Sequence, residues 1–307
     1  MEVQDLQDFS VATKHHSLLN LIGVFFRDIK LSHSVFALPF VGVALTLTGF
    51  NGLNSLQLAL IVICMILARS FAMGMNRYLD RGIDALNART IVRALPSGMA
   101  NAQTYLAVTL SCGALFIFSA FHLSAFAGWL SPFLLLVLAC YSLMKRLSWM
   151  THWYLGLCLG LAPVAAEIAL FGQVTAKIIL IGLAVAFWTA GFDLLYSLQD
   201  REFDVGQGLH SVPARFGYRV AIWLSRLSFM VMIFLLLTAG VLAGAGFFWC
   251  IGVAFVAGIL FLEHWLIRDA MVTGSSDMIN AAFFNLNALV SVVFLTFAIL
   301  NAYAKNL

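Results

Sequence analysis

The sequence predicts an all-α fold, a polytopic membrane bundle of nine transmembrane helices, and three observations predict it. Of 307 residues, 62% are hydrophobic and only 10% charged, too little charge to cover a soluble domain of this length. Apolar stretches of about 20 residues recur along the whole chain, the length that crosses a hydrocarbon core of roughly 30 Å as a helix. In lipid only helix bundles and closed barrels satisfy every backbone polar group, and these runs are too long and continuous for barrel strands. The basic residues give the third observation. With the N-terminus in the cytoplasm, only Lys177 and Lys305 of the 17 Lys and Arg fall outside and Arg69 lies within a span. The rest are cytoplasmic, a strong positive-inside bias that one span more or fewer would spoil.

The elements follow in order. Residues 1–32 are expected to form a cytoplasmic N-terminal segment, and 33–307 a single transmembrane domain. The first 16 residues are polar with no early apolar region, so no cleavable signal peptide is expected. Leu18, Leu19, Ile22, Phe25, Phe26 and Ile29 recur at near-helical spacing beside Arg27, Asp28 and Lys30, which reads as an amphipathic helix on the membrane surface. The spans are placed at 33–50, 56–79, 103–120, 123–143, 152–171, 177–198, 220–240, 246–266 and 280–302. Long polar loops are expected after the second span, to about 101, and over 199–219. Cys64, Cys112, Cys140, Cys158 and Cys250 all fall in apolar stretches without a C-x-x-C and read as small core residues. The net charge of +3 gives no reason to expect nucleic acid as a partner.

Chemistry concentrates in two acidic motifs. Asn76-Arg-Tyr-Leu-Asp80-Arg-Gly-Ile-Asp84 ends the second span and places Asn76, Asp80 and Asp84 at i, i+4 and i+8, one helix face. Tyr196-Ser-Leu-Gln-Asp200-Arg-Glu-Phe-Asp204 ends the sixth with the same spacing between its aspartates. A Pro and a Gly follow each motif, Pro96 and Gly98, then Pro213 and Gly217, which suggests two related four-helix units plus a ninth helix. One D-x-x-x-D reads as an ordinary solvated helix end, with Asp80 and Asp84 paired to neighbouring arginines. Two copies at equivalent helix ends on one side of a membrane make a hard-oxygen site suited to Mg²⁺ once a substrate phosphate supplies the remaining ligands. Arg89 and Arg93 after the first motif, and Lys145 and Arg146 at the end of the fourth span, are candidate cations for a diphosphate.

Three ionisable residues are read within spans: Arg69, Glu167 and Asp193. Arg69 precedes Asn76 by seven residues, sharing its face about 10 Å deeper, and Asp193 stands in the same relation to Asp200. Both could orient a polar acceptor beneath a metal–phosphate site, or they could pair with each other for structure. Glu167 has no motif around it.

At these residues the chain resembles the UbiA superfamily of intramembrane aromatic prenyltransferases. The resemblance covers nearly the whole chain and is closest in Asn76 to Gly98 and in Asp193 to Asp204. It implies a Mg²⁺-dependent transfer of a polyprenyl group from a polyprenyl diphosphate to an aromatic acid acceptor, at the cytoplasmic side of a bacterial inner membrane and inside the lipid bilayer. It implies metal binding by Asp80, Asp84, Asp200 and Asp204, and diphosphate binding by Asn76, Tyr141, Lys145, Arg146, Arg89 and Arg93. Arg69 is assigned to the acceptor's carboxylate and Asp193 to its hydroxyl. Many members begin the first motif Asn-Asp; here Arg77 follows Asn76, so one metal-side carboxylate or hydrogen bond is expected to be absent. Within the superfamily the motifs look most like the 4-hydroxybenzoate polyprenyltransferase-like group, which includes a dihydroxynaphthoate-prenylating enzyme of the futalosine route to menaquinone. A haem or chlorin acceptor is the nearest alternative, a polytopic transporter a more distant one.

Overall fold

A computed structural model describes residues 18–30, 37–49, 52–273 and 282–305. Among them the secondary structure is helical throughout. The helices are α1 (Leu18–Asp28), α2 (Leu38–Thr48), α3 (Ser55–Asp84), α4 (Ala102–Leu123), α5 (Ala125–Leu147), α6 (Thr151–Phe171), α7 (Ala176–Tyr196), α8 (Arg201–Gly206), α9 (Val212–Leu242), α10 (Phe247–Thr273) and α11 (Asn287–Ala304).

Eight of the described segments are long and apolar enough to cross a membrane. The ninth expected span, 33–50, appears as α2, and residues 31–36 and 50–51 lie outside the described residues. α2 lies between two ends of the bundle. Asp28 at the end of α1 bonds Ala94 and Tyr105 beside the start of α4, whereas α3 begins at the opposite end of the bundle. Large apolar side chains cover the outside, with Trp129 71% and Phe261 77% exposed, as a bundle solvated by lipid tails requires.

The central helix is α7, apolar on every side and packed chiefly on α6 and α9. It meets α6 at a crossing of small residues. A Cβ at Gly156 would strike the Ala186 carbonyl oxygen, and one at Gly160 that of Gly182. Small residues one turn apart let two backbones approach this closely in a membrane, and the crossing fixes what lies a turn beyond it on each helix. A second tie runs through Trp188 on α7, whose indole N–H donates to Asn287 Oδ1 at 2.9 Å, while Asn287 Nδ2 donates to Glu263 Oε1 at 2.9 Å. Glu263, fully buried on α10, is a further ionisable residue within a span, beyond the three read from the sequence.

Two sequence features are resolved as structural. Glu167 near the end of α6 accepts from both Thr175 N–H (2.8 Å) and the Thr175 hydroxyl (2.7 Å), so it holds the α6–α7 turn and places negative charge at the start of α7, where the helix dipole favours it. Lys177 and Lys305 cap helix ends: their Nζ atoms donate to the carbonyls of Leu47 and Ala243, each at 2.6 Å. Both sit at the end of the bundle away from the acidic motifs. The cysteines are free; Cys64, Cys112 and Cys158 are buried and Cys250 is exposed on the outer face.

The segment expected as a polar loop over 199–219 is largely helical instead. A 3₁₀ turn over Ser197–Asp200 leads into α8, and α9 begins at Val212. There Ser211 caps the Ala214 N–H at 3.3 Å, and Pro213 needs no donor in the first turn. Gly217, at φ 81°, breaks this opening turn from the rest of α9, a conformation only glycine adopts without strain.

Candidate active site

The first motif occupies the last turns of α3. That helix has 30 residues, about 45 Å at 1.5 Å per residue, so it outlasts the hydrocarbon core and carries Asn76, Asp80 and Asp84 towards the polar end. Asn76 Nδ2 donates to Asp80 Oδ2 at 2.8 Å. The second motif is not on a continuous face of α7. Its 3₁₀ turn winds by an extra 20° or so per residue relative to an α-helix, so Asp200 departs from the simple i+7 relation to Asp193 that the sequence implied.

The two motifs face one another across a set of basic residues. Consecutive residues on α5 hold one aspartate from each: Lys145 Nζ lies 2.9 Å from Asp204 Oδ1, and Arg146 Nη2 lies 2.8 Å from Asp80 Oδ1. Arg89 reaches from the loop after the first motif to the second, donating from Nε and Nη2 to both oxygens of Asp200 at 2.7–3.1 Å and from Nη1 to the Tyr196 hydroxyl. Burial works against the charge of Arg89, but Asp200 and Tyr196 outweigh it and hold the guanidinium above its ordinary pKa. Arg93 Nη1 lies 2.7 Å from both oxygens of Asp84. Thus each of the four aspartates is neutralised by one of the four cations that the sequence assigned to a diphosphate.

Among the described residues no group of three His, Cys, Asp or Glu side chains gathers closely enough to hold a metal ion. The donor set nevertheless fits Mg²⁺, which takes one or two carboxylates and fills its octahedron with phosphate oxygens and water. Each motif offers two carboxylates, and Asp204, fully buried, keeps Oδ2 without a hydrogen-bond partner. A buried carboxylate oxygen without a partner is costly and is what a hard cation would satisfy.

Arg77 does not enter the aspartate cluster. It is buried, with Nε 3.7 Å from Asp28 Oδ2 and Nη1 3.2 Å from Asn76 Oδ1. Asp28 also accepts from Ala94 N–H (2.9 Å) and the Tyr105 hydroxyl (2.7 Å). Arg77 therefore ties α3 to α1, and the residue after Asn76 serves here as a scaffold. Lys30, just past α1, adds a cation that sequence reasoning passed over. It lies over the Phe284 ring at 5.1 Å and has φ 49°, strained for a non-glycine residue. Burial first, and then Arg77, Arg93 and Arg89, push its ammonium below its ordinary pKa. That crowd of positive charge at the mouth favours an anionic ligand.

Beneath this mouth a cavity of about 1200 Å³ runs between α3, α4, α5 and α6. On α5 its wall extends from Arg146 to Ala127, roughly 28 Å at 1.5 Å per residue, and below the polar rim that wall is mostly apolar. Tyr141, Arg69 and Asp193 all line it. Arg69 and Asp193 are not joined as a structural pair. Arg69 Nη2 donates to the Lys30 carbonyl at 3.2 Å, and its Nε is buried without a partner. Asp193 Oδ2 instead lies 2.7 Å from His152 Nδ1. His152, 41 residues distant in sequence, had no local pattern to announce it, since only the α6–α7 crossing brings the two together.

A polytopic helical bundle with paired aspartate–cation clusters over a deep apolar cavity defines a membrane enzyme acting on an amphiphile with an anionic head. Residues 36–289 match the UbiA prenyltransferase family, and the chain belongs to that family. It is 30% identical over 263 residues to a 4-hydroxybenzoate octaprenyltransferase of Nitrosococcus oceani, covering 82% of this chain and 86% of that protein. Its fold is similar to the apo structure of a UbiA homologue from Aeropyrum pernix K1, with TM-score 0.78, 27% identity, and 88% and 98% of the two chains covered. It also shares the fold of a UbiA homologue from Archaeoglobus fulgidus bound to DMAPP and Mg²⁺, with TM-score 0.68, 16% identity, and 91% and 99% covered.

Proposed function

We propose that this protein transfers a polyprenyl group from a polyprenyl diphosphate to an aromatic hydroxy-carboxylate, of the 4-hydroxybenzoate or dihydroxynaphthoate kind, in a Mg²⁺-dependent step of respiratory quinone biosynthesis. The observation that carries this reading is the set of four aspartate–cation pairs at the mouth of the apolar cavity. Asp80, Asp84, Asp200 and Asp204 would hold Mg²⁺, and Arg93, Arg146, Arg89 and Lys145, released from these pairs, would hold the phosphate oxygens. Asn76 and Tyr141 complete the polar rim. Mg²⁺ supplies charge stabilisation for the departing diphosphate. The curated relative's activity and the metal and prenyl ligand of the Archaeoglobus homologue agree with this assignment.

The isoprenoid tail lies along the apolar wall of α3–α6, away from water, so the allylic carbon loses its diphosphate in a dry environment. The C–O bond breaks with both electrons leaving on the diphosphate, eased by the released cations. The ring carbon beside the acceptor's hydroxyl bonds to the allylic carbon, and the proton on that ring carbon passes to the released diphosphate, which restores aromaticity. Asp193 accepts a hydrogen bond from the hydroxyl and Arg69 holds the carboxylate. Arg69, a cation in the cavity wall whose Nε–H has no partner, favours an acidic acceptor. The active site faces the cytoplasm of a bacterial inner membrane, in keeping with the basic residues at its end of the bundle.

The test is turnover of geranyl diphosphate and 4-hydroxybenzoate by purified Asp80→Ala and Asp200→Ala variants as Mg²⁺ is varied. At least about a hundredfold loss is expected, since each position carries charge in the transition state. Near-normal turnover in both would overturn the assignment.

A further inference from the structure

We propose that His152 is a positioning residue for this reaction, locked in one tautomer by the first turn of α9 so that it presents Asp193 to the acceptor. This rests on the hydroxyl-binding role given to Asp193 above. His152 is 1% exposed, on the first turn of α6. The Val212 N–H, the first amide of α9, points at its Nε2 at 3.3 Å. A backbone amide can only donate, so Nε2 accepts and the ring proton sits on Nδ1. Nδ1–H then donates to Asp193 Oδ2 at 2.7 Å. The imidazole thus meets two needs at once: it satisfies one of the orphan amides of a helix N-terminus, and it occupies one Asp193 oxygen. The carboxylate, 21% exposed in the cavity wall, is left to offer its other oxygen to the acceptor. Because the glycine crossing of α6 and α7 sets the separation of the two residues, the carboxylate cannot rotate freely, and orientation of this kind is worth large factors in rate.

A role confined to holding α9 makes a different prediction, and two substitutions separate them. The amide of Asn reaches about where Nδ1 does, and that of Gln about where Nε2 does. His152→Gln should still accept from Val212 but lose the donor to Asp193. Its thermal midpoint should stay near that of the parent, its kcat for geranyl diphosphate and 4-hydroxybenzoate should fall about tenfold or more, and the donor KM should hold. His152→Asn should keep the donor to Asp193 and lose the cap, lowering the midpoint by a few degrees while kcat of the folded enzyme stays within about threefold. In an Asp193→Asn background, His152→Gln should add little, because the two act as a unit. Full kcat in His152→Gln with turnover lost in Asp193→Asn overturns the positioning role alone. Full turnover in Asp193→Asn overturns the role of Asp193 and this inference with it.

Discussion

Replacing Arg69 by Lys keeps a positive charge in the cavity wall and removes the planar fork. Of the five N–H donors of the guanidinium, one is taken by the Lys30 carbonyl at 3.2 Å, and Nε–H is buried with no partner. The terminal nitrogens Nη1 and Nη2 keep N–H groups that can engage an acceptor carboxylate in two parallel bonds, a geometry an ammonium cannot reproduce. Hydrogen bonds to charged groups contribute about 1.5–3 kcal/mol each, so losing one of the two should raise the acceptor KM roughly 10- to 150-fold, provided KM follows binding. The donor KM should change little, because the diphosphate cations on α5 and in the loop after α3 are untouched. Arg69→Leu should in addition abolish discrimination between the acid and its decarboxylated analogue. The assay is steady-state kinetics of both substrates on detergent-purified, monodisperse enzyme. A purely structural Arg69 would worsen both KM values together and reduce the yield of folded protein. Equal shifts in the two KM values would refute acceptor recognition by this residue.

The positive-inside reading places residues 77–102 and 199–219 in the cytoplasm; single cysteines at 88 and 207, in a background lacking the native ones, should react only with reagent that reaches that side. Labelling by an impermeant reagent in intact cells would contradict it. Glu167→Ala leaves the Thr175 N–H and hydroxyl without their acceptor and should cost about 1–2 kcal/mol, read as a lower thermal midpoint, while kcat per folded enzyme stays unchanged. A loss of turnover at full stability would mean that Glu167 belongs to the chemistry. Lys30→Gly should relieve the strain at φ 49°, worth about 1 kcal/mol, yet raise the donor KM several-fold by removing a cation from the mouth; a donor KM unchanged in a stabilised variant would exclude Lys30 from diphosphate binding.

The sequence by itself determined what depends on local composition and spacing. Hydrophobic runs long enough for a bilayer made the fold an all-helical membrane bundle. The i, i+4, i+8 spacing marked Asn76, Asp80 and Asp84, because periodicity on one helix survives whatever packs around it. Tertiary structure decided what depends on contacts between helices. It alone paired Lys145 and Arg146 with aspartates of different motifs, and it turned the second motif into a 3₁₀ turn and a short helix where a loop was expected. It drew Arg77 to Asp28 on α1. It separated Arg69 from Asp193 and gave Asp193 to His152, a partner 41 residues away. The physical reason is the crossing of α6 and α7: Gly156, Gly160 and Gly182 let the backbones touch, and which ionisable groups meet a turn beyond that contact is a property of interhelical distance, which no single helix encodes.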